Sequence, residues 1–249
     1  MKTALYTANF NVRSYEVGDR QQATLTSIAN YLQEIAGLHA HRLNFDITHL
    51  NKRGLTWVLF KMHIVVAQYP QRWQDIRIDT WPSSGNGIIA FRDYRIYNSD
   101  EELICKAISQ WMVLDSKTKR PVRLPEELMQ YPRVVVEPGL DYSRKELSGS
   151  DEENHRGELV ARVGQHHLDM NKHVNNARYI EWLTGYTGST SKQPSEISLQ
   201  FTREAFPGDE IYLHTSQQEL HGRDADPGIL LNRLFNQHGE LLAAARIHY

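Results

Sequence analysis

The chain has 249 residues, 40% hydrophobic and 23% charged, a balance that supports a soluble globular protein of one large or two ordinary domains. Its formal net charge of −2 excludes a general pull toward nucleic acid, so any electrostatic partner must be read from local patches. One cysteine, Cys105, excludes an internal disulfide framework and any CxxC metal or redox site, and sets the expectation of a reducing, cytoplasmic location.

In chain order, the opening "MKTALYTANFNVRSYEVGDR" lacks a continuous apolar core, so no secretory or organellar leader is expected. Its "ANFNVRSYEV" reads as a strand. "QQATLTSIANYLQEIAG", Gln21 to Gly37, places Leu25, Ile28, Ala29, Leu32, Ile35 and Ala36 at helical spacing, with Gly37 as a C-terminal stop. Strand-like runs follow: "TWVLFKMHIVVAQYP", "DIRIDTWPSS", "IIAFRDYRIYN" and "LICKAISQWMVLDSKT", the last two joined by a hairpin at Asn98-Ser99-Asp100. "EPGLDYSRKELSGSDEENHRG", Glu137 to Gly157, is polar and reads as a linker. Then come a strand, "GELVARV", a second helix, "ARYIEWLTG", and "SEISLQFTREAFPG", "DEIYLHTSQQEL", "GILLNRLFNQ" and "LLAAARIHY", with a hairpin signal at His238-Gly239. No run approaches the ~18 apolar residues of a membrane span.

The order strand, helix, about four antiparallel strands thus occurs twice. "ANYLQEIAG" (Ala29 to Gly37) and "ARYIEWLTG" (Ala177 to Gly185) share alanine, tyrosine and glycine at a constant offset of 148 (177 − 29). Both helices carry only a narrow polar stripe, Asn30 and Glu34 in one and Arg178, Glu181 and Thr184 in the other, so each has to be wrapped by other structure. One long helix enclosed by a curved antiparallel sheet is a hot dog. The expected fold is therefore α+β, a double hot dog with domains at 1–136 and 158–249 joined by a linker at 137–157.

The chemistry gathers in "GQHHLDMNKHVNNARYIEW", Gly164 to Trp182. Asp169, Asn171 and His173 share one face only if the segment before Val174 is extended. Asn175 or Asn176 then caps the helix, whose first amides and dipole favour negative charge. Asp169 also fits a turn residue, Asn171 a local backbone-bonding residue and Glu204 a solvated strand charge. Tyr31, Tyr179 and Trp182 read as core aromatics. His166, His167 and His173 lie close to Asp169, but no HExxH or CxxC spacing accompanies them, so no metal is expected.

"LDMNKHVNNARYIEWL" resembles the D-x-N-x-H-V-N-N-x-x-Y-[IL]-x-W signature of plant and bacterial acyl-acyl-carrier-protein (acyl-ACP) thioesterases. "LQFTREAFPGDEI" is similar to that family's second signature, in which a glutamate follows an arginine. The resemblance covers essentially the whole chain. It implies catalytic roles for Asp169, Asn171, His173 and Glu204, hydrolysis of fatty acyl-ACP to free fatty acid without a cofactor, and an acyl carrier protein as partner. Many members place a cysteine after that glutamate; here the residue is Ala205, which disfavours a thiolate nucleophile.

An activated thioester needs a nucleophilic water and an oxyanion site. Glu204 is expected as general base or water-orienting group, His173 and Asn171 as positioning groups, and Asp169 as their support. Backbone amides of Val174, Asn175 and Asn176 are expected to hold the oxyanion. Direct attack by Glu204 through an anhydride stays open. Subtracting 148 places Gln21, Ala23 and Leu25 under Asp169, Asn171 and His173, and aligning "AQYP" with "EAFP" places Ala67 under Glu204. The first half is accordingly the non-catalytic copy, which the family uses for the acyl pocket, with Thr24, Ser27, Ile28, Tyr31 and Leu32 as lining candidates. Lys117, Lys119, Arg120 and Arg123 form the richest basic cluster and the expected docking surface for an acidic carrier. The alternatives are an acyl-CoA thioesterase and a non-catalytic acyl-binding protein. Homodimerisation stays open.

Overall fold

A helix that is apolar most of the way round needs a sheet to enclose it, and the computed structural model supplies one sheet for each of two helices. The structure describes residues 4–129, 140, 147, 157–169, 172–185, 193–217 and 229–249. Two compact units divide the chain, Met1–Tyr142 and Ser143–Tyr249. Apart from Leu140, Leu147 and Gly157, the expected linker at 137–157 lies outside the described residues.

The first unit runs β1 (Tyr6–Asn11), α1 (Leu25–Leu43), α2 (Ile47–Asn51), β2 (Leu55–Val66), β3 (Asp75–Gly85), β4 (Ile89–Tyr97), β5 (Leu103–Asp115), β6 (Pro121–Val122) and α3 (Glu126–Met129). Its antiparallel order is β1-β3-β4-β5-β2, with β6 on β5. The second runs β7 (Glu158–Arg162), α4 (Asn176–Thr184), β8 (Glu196–Phe201), β9 (Glu210–Gln217), β10 (Ile229–Asn236) and β11 (Leu241–His248), ordered β8-β11-β10-β9-β7. Read from the first strand, the two orders are the same. This is the double hot dog. No described helix is long and apolar enough to cross a membrane.

Helix α1 differs from its expected bounds at both ends. It starts at Leu25, because the Thr24 hydroxyl accepts the Ser27 N–H at 3.1 Å and caps the first turn. It passes through Gly37 and ends at Leu43, where Asn44 turns left-handed at φ 64° and returns its N–H to the Ala40 and His41 carbonyls. A helical glycine costs ~1 kcal/mol against alanine. Burial of His39 and Leu43 in the continued helix outweighs that cost. Along α1, Ile28, Leu32 and Ile35 have no solvent exposure.

Backbone hydrogen bonds set the register of the repeat, and it differs from the one read from residue identities. Gly18 N–H donates to the Gln22 carbonyl and Gln21 N–H to the Gly18 carbonyl; Asp169 and His173, and Lys172 and Asp169, repeat this pattern. Gln21 and Lys172 both take positive φ, 57° and 64°. Isolated bridges Val17–Ala23 and Leu168–Val174 close the two loops. The true offset here is 151 (169 − 18), not 148. Ala67 and Gln68 both donate to the Ile104 carbonyl, as Thr202 and Arg203 do to that of Leu242, an offset of 135 (202 − 67). Side-chain matching missed this because Gly37 lies inside a helix whereas Gly185 is a C-cap.

A third correspondence locks the β4–β5 and β10–β11 hairpins. Asn98 accepts the Asp100 and Glu102 N–H groups on its Oδ1 and donates Nδ2 to Glu102 Oε2 at 2.9 Å. Asn236 does the same with His238, Glu240 and Glu240 Oε2, the last at 2.8 Å. Both asparagines are buried, so each takes the place of water for two turn amides.

Two outcomes follow. A Cβ at Gly37 would meet no atom within 4 Å, so Gly37→Ala should raise stability by about 0.5–1 kcal/mol in denaturant titration. Asn98→Ala should lower it by about 1–3 kcal/mol, because two amides lose their acceptor.

Candidate active site

The loop entering α4 is a tight turn, which corrects the expected extended segment. A 3-10 turn at Gln165–His167 leads to the Leu168–Val174 bridge. Between them Asp169 works with three atoms. Its N–H donates to the His173 carbonyl at 2.7 Å, its carbonyl accepts the Lys172 N–H at 3.0 Å, and its Oδ1 accepts the His173 N–H at 3.1 Å. Those bonds hold Lys172 in its left-handed conformation. The alternation of polar residues therefore marks a turn pinned by Asp169 rather than a strand face. Asn171 lies outside the described residues. Asn175 is the N-cap of α4, accepting the Ala177 N–H at 2.9 Å.

Glu204 follows the end of β8, where the Leu242 carbonyl takes both the Thr202 and Arg203 amides. Its Oε1 lies 3.4 Å from Nδ1 of His173, and the two side chains are 39% and 34% exposed, which leaves both accessible to water and substrate. Arg203 turns away to Glu240 at 3.4 Å, so it does not neutralise Glu204. Beneath the pair, the buried Tyr179 hydroxyl accepts the Ala205 N–H at 2.9 Å. Burial, with Glu204 and Asp209 adding negative charge nearby, pushes the Tyr179 phenol up to about 12, against the Ala205 bond that lowers it. Tyr179 is thus more than the core aromatic expected from its spacing. The one available signal was a hydroxyl on an otherwise apolar helix face.

The three amides expected at the helix start have different fates. The Asn175 N–H is already committed to the His167 carbonyl at 3.0 Å, which removes it from the oxyanion set. Asn176 opens α4. Val174 N–H meets no acceptor among the described residues, whereas Ala23, its counterpart at offset 151, donates to the Pro70 carbonyl at 2.8 Å. Among the described residues the second unit therefore leaves this amide open where the first unit has spent it. Under the corrected register Gly18 and Gln22 stand at Asp169 and His173, and Tyr69 stands at Glu204. The first unit carries none of these groups.

His167 is a neutral neighbour of the site. Its Nδ1 accepts the Gly164 N–H at 3.0 Å, its ring meets Trp182 edge-on, and burial, then the charges of His166 and Arg178, hold its pKa below the usual value. Among the described residues, His41, Asp46 and His49 are the three whose donor atoms converge within 4.8 Å as a metal set would. Their contacts of 2.7 and 2.5 Å are hydrogen bonds from imidazole to carboxylate, and Asp46 also caps α2. That is a clamp between two helices.

The remaining expected residues sit in the first unit. Thr24 and Ser27 are capping groups, the latter donating to the Glu16 carbonyl at 2.7 Å. Ile28 and Leu32 are fully buried, and Tyr31 donates to Glu16 Oε2 at 2.5 Å. Lys117, Lys119, Arg120 and Arg123 are exposed around the β5–β6 turn, which Asp115 holds by accepting the Lys117 and Thr118 amides. Cys105 is buried on β5, and burial pushes its thiol far above the usual range.

Residues 3–131 match the family model for the acyl-ACP thioesterase N-terminal domain, and residues 150–249 that for the C-terminal domain. The oleoyl-ACP thioesterase, chloroplastic, of Coriandrum sativum is 29% identical over 96% of this chain and 68% of its own length. Oleoyl-ACP thioesterase 1, chloroplastic, of Arabidopsis thaliana is 30% identical over 87% and 65%. The palmitoyl-ACP thioesterase, chloroplastic, of Gossypium hirsutum is 30% identical over 80% and 52%. This chain thus spans roughly half to two thirds of the length of these curated relatives. The crystal structure of an acyl-ACP thioesterase from Bacteroides thetaiotaomicron superimposes with a TM-score of 0.86 at 21% identity, covering 98% of this chain and 97% of that one. The 12:0-ACP thioesterase from Umbellularia californica gives 0.82 at 21% identity, covering 98% and 96%. Both support the fold.

Burial of Cys105 predicts that the native protein resists alkylation by iodoacetamide under conditions that label the unfolded chain. Mass spectrometry of the two states checks this, with one labelled thiol appearing only on unfolding.

Proposed function

The chain belongs to the acyl-ACP thioesterase family, and from that premise we propose that it hydrolyses the thioester of a fatty acyl-ACP to free fatty acid and holo-carrier protein. The observation that carries this reading is the His173–Glu204 pair at 3.4 Å, set at the start of α4 in one unit and lacking in the other.

In this scheme Glu204 takes a proton from water as the water oxygen attacks the thioester carbonyl carbon. His173 orients the water or the substrate, receives that proton from Glu204 and passes it to the departing thiolate as the C–S bond breaks, which returns both groups to their starting states. The Asp169-pinned turn keeps the His173 backbone in place, and Asn171, by family resemblance, contributes a polar contact. The open Val174 amide, at a helix N-terminus, suits the tetrahedral oxyanion; one such donor is worth roughly 3–4 kcal/mol. Attack by the Glu204 carboxylate through an anhydride uses the same groups. The thioester is already activated, so no cofactor is invoked.

The exposed basic turn carrying Lys117, Lys119, Arg120 and Arg123 is our choice for docking the acidic carrier. The proposal includes a reducing, cytoplasmic setting, with which the buried Cys105 is consistent.

The test is release of free acid from a panel of acyl-ACP and acyl-CoA thioesters without added metal. Wild type should turn over the carrier substrates preferentially. Glu204→Ala and His173→Ala should each lose about 10²–10⁴-fold in kcat. Preference for CoA esters would redirect the substrate assignment, and full activity in either variant would refute the mechanism.

A further inference from the structure

We propose that Tyr179 is a positioning residue that sets the His173–Glu204 geometry by tethering the Glu204 backbone to helix α4. The inference rests on the thioesterase reading above and adds to it a residue outside the acid, amide and imidazole groups named there.

Four observations carry it. The Tyr179 hydroxyl accepts the Ala205 N–H at 2.9 Å, and both residues are buried, so water cannot replace the bond. Ala205 directly follows Glu204. On the other side, Arg203 N–H is fixed on the Leu242 carbonyl, so Glu204 is held between two anchored neighbours. The ring itself is fixed, edge-on to Trp182 at 5.6 Å and to Phe201 at 5.8 Å. Because His173 precedes α4 in the pinned turn and Tyr179 lies within α4, this one bond ties the two halves of the pair together.

The repeat supplies an internal control. At offset 151 the counterpart of Tyr179 is Ile28, which has no hydroxyl, and at offset 135 the counterpart of Ala205 is Pro70, which has no N–H. The copy without Glu204 lacks both donor and acceptor. A bond needed only for folding would be useful in either unit; this one occurs where a carboxylate has to be aimed. The raised Tyr179 pKa agrees, since a protonated phenol holds the tether without competing as a base.

Tyr179→Phe removes the acceptor and keeps the ring. It should lower kcat about 10–100-fold with KM changed less than about 2-fold, the scale expected when a reacting group shifts by about an ångström. Asn98→Ala, a destabilised variant in the other unit, should keep its kcat. In a Glu204→Gln background, Tyr179→Phe should add no further loss, because the tether acts only through Glu204. A multiplicative loss in the double variant overturns the proposal, as does an unchanged kcat in Tyr179→Phe. An intact rate in Glu204→Gln alone instead overturns the role of Glu204. Should Tyr179→Phe fail to fold, hydrogen exchange of the Ala205 amide in the unaltered protein decides. Slow exchange, like that of the β11 core amides, supports the tether, and exchange as fast as in exposed turns overturns it.

Discussion

Closure of the loop ahead of each helix is the constraint on which the rest of the molecule depends. In both units a carbonyl and an amide four residues apart pair across a short turn, one residue goes left-handed, and the side chain three positions further on, Thr24 or Asn175, caps the helix. That closure fixes where the helix starts and which of its faces meets the sheet. With α1 and α4 so placed, Ile28, Leu32 and Ile35 in one and Ile180 and Leu183 in the other have only the inner sheet face to pack against. The common strand order follows from that demand, because each sheet has to cover a helix inserted after its first strand.

The same backbone then serves two chemistries. Where the first unit has Gly18, Gln22 and Tyr69, the second has Asp169, His173 and Glu204. Where Ala23 spends its amide on Pro70, Val174 keeps its own. Where Ile28 has no hydroxyl and Pro70 no N–H, Tyr179 holds Ala205. Each change in the second unit adds charge, an open donor or a tether within reach of one helix N-terminus. A carboxylate and an imidazole 3.4 Å apart, both about a third exposed, form an arrangement that costs little in an accessible site and would cost several kcal/mol if buried unpaired.

Hairpin asparagines show how structure and function separate in this chain. Asn98 and Asn236 make the same three bonds in both units, as expected of residues serving only the fold. The short match N-x-x-x-E recurs at the two turns in the sequence, Asn98 to Glu102 and Asn236 to Glu240, but so short a pattern does not by itself encode the bonds it makes. The Asp169 turn reads as an alternating strand in the sequence for a related reason. Period-two polarity is shared by a strand face and by a tight loop whose polar groups bond to its own backbone.

By itself the sequence determined the element order, the two hairpins, the twofold architecture, the family signature and the residue types able to do the chemistry. These are local or near-local properties, carried by apolar spacing, turn residues and a contiguous motif. Only the tertiary structure decided the register of the repeat, the length of α1, the loss of the Asn175 amide to His167 and the link from Tyr179 to Ala205. Each of those depends on a hydrogen bond or burial that no local pattern encodes. Glu204 meets His173 across 31 positions of chain (204 − 173) only because β8 ends beside the helix start. Distance in space, set by the packing of helix on sheet, turned a pattern of polar residues into a site.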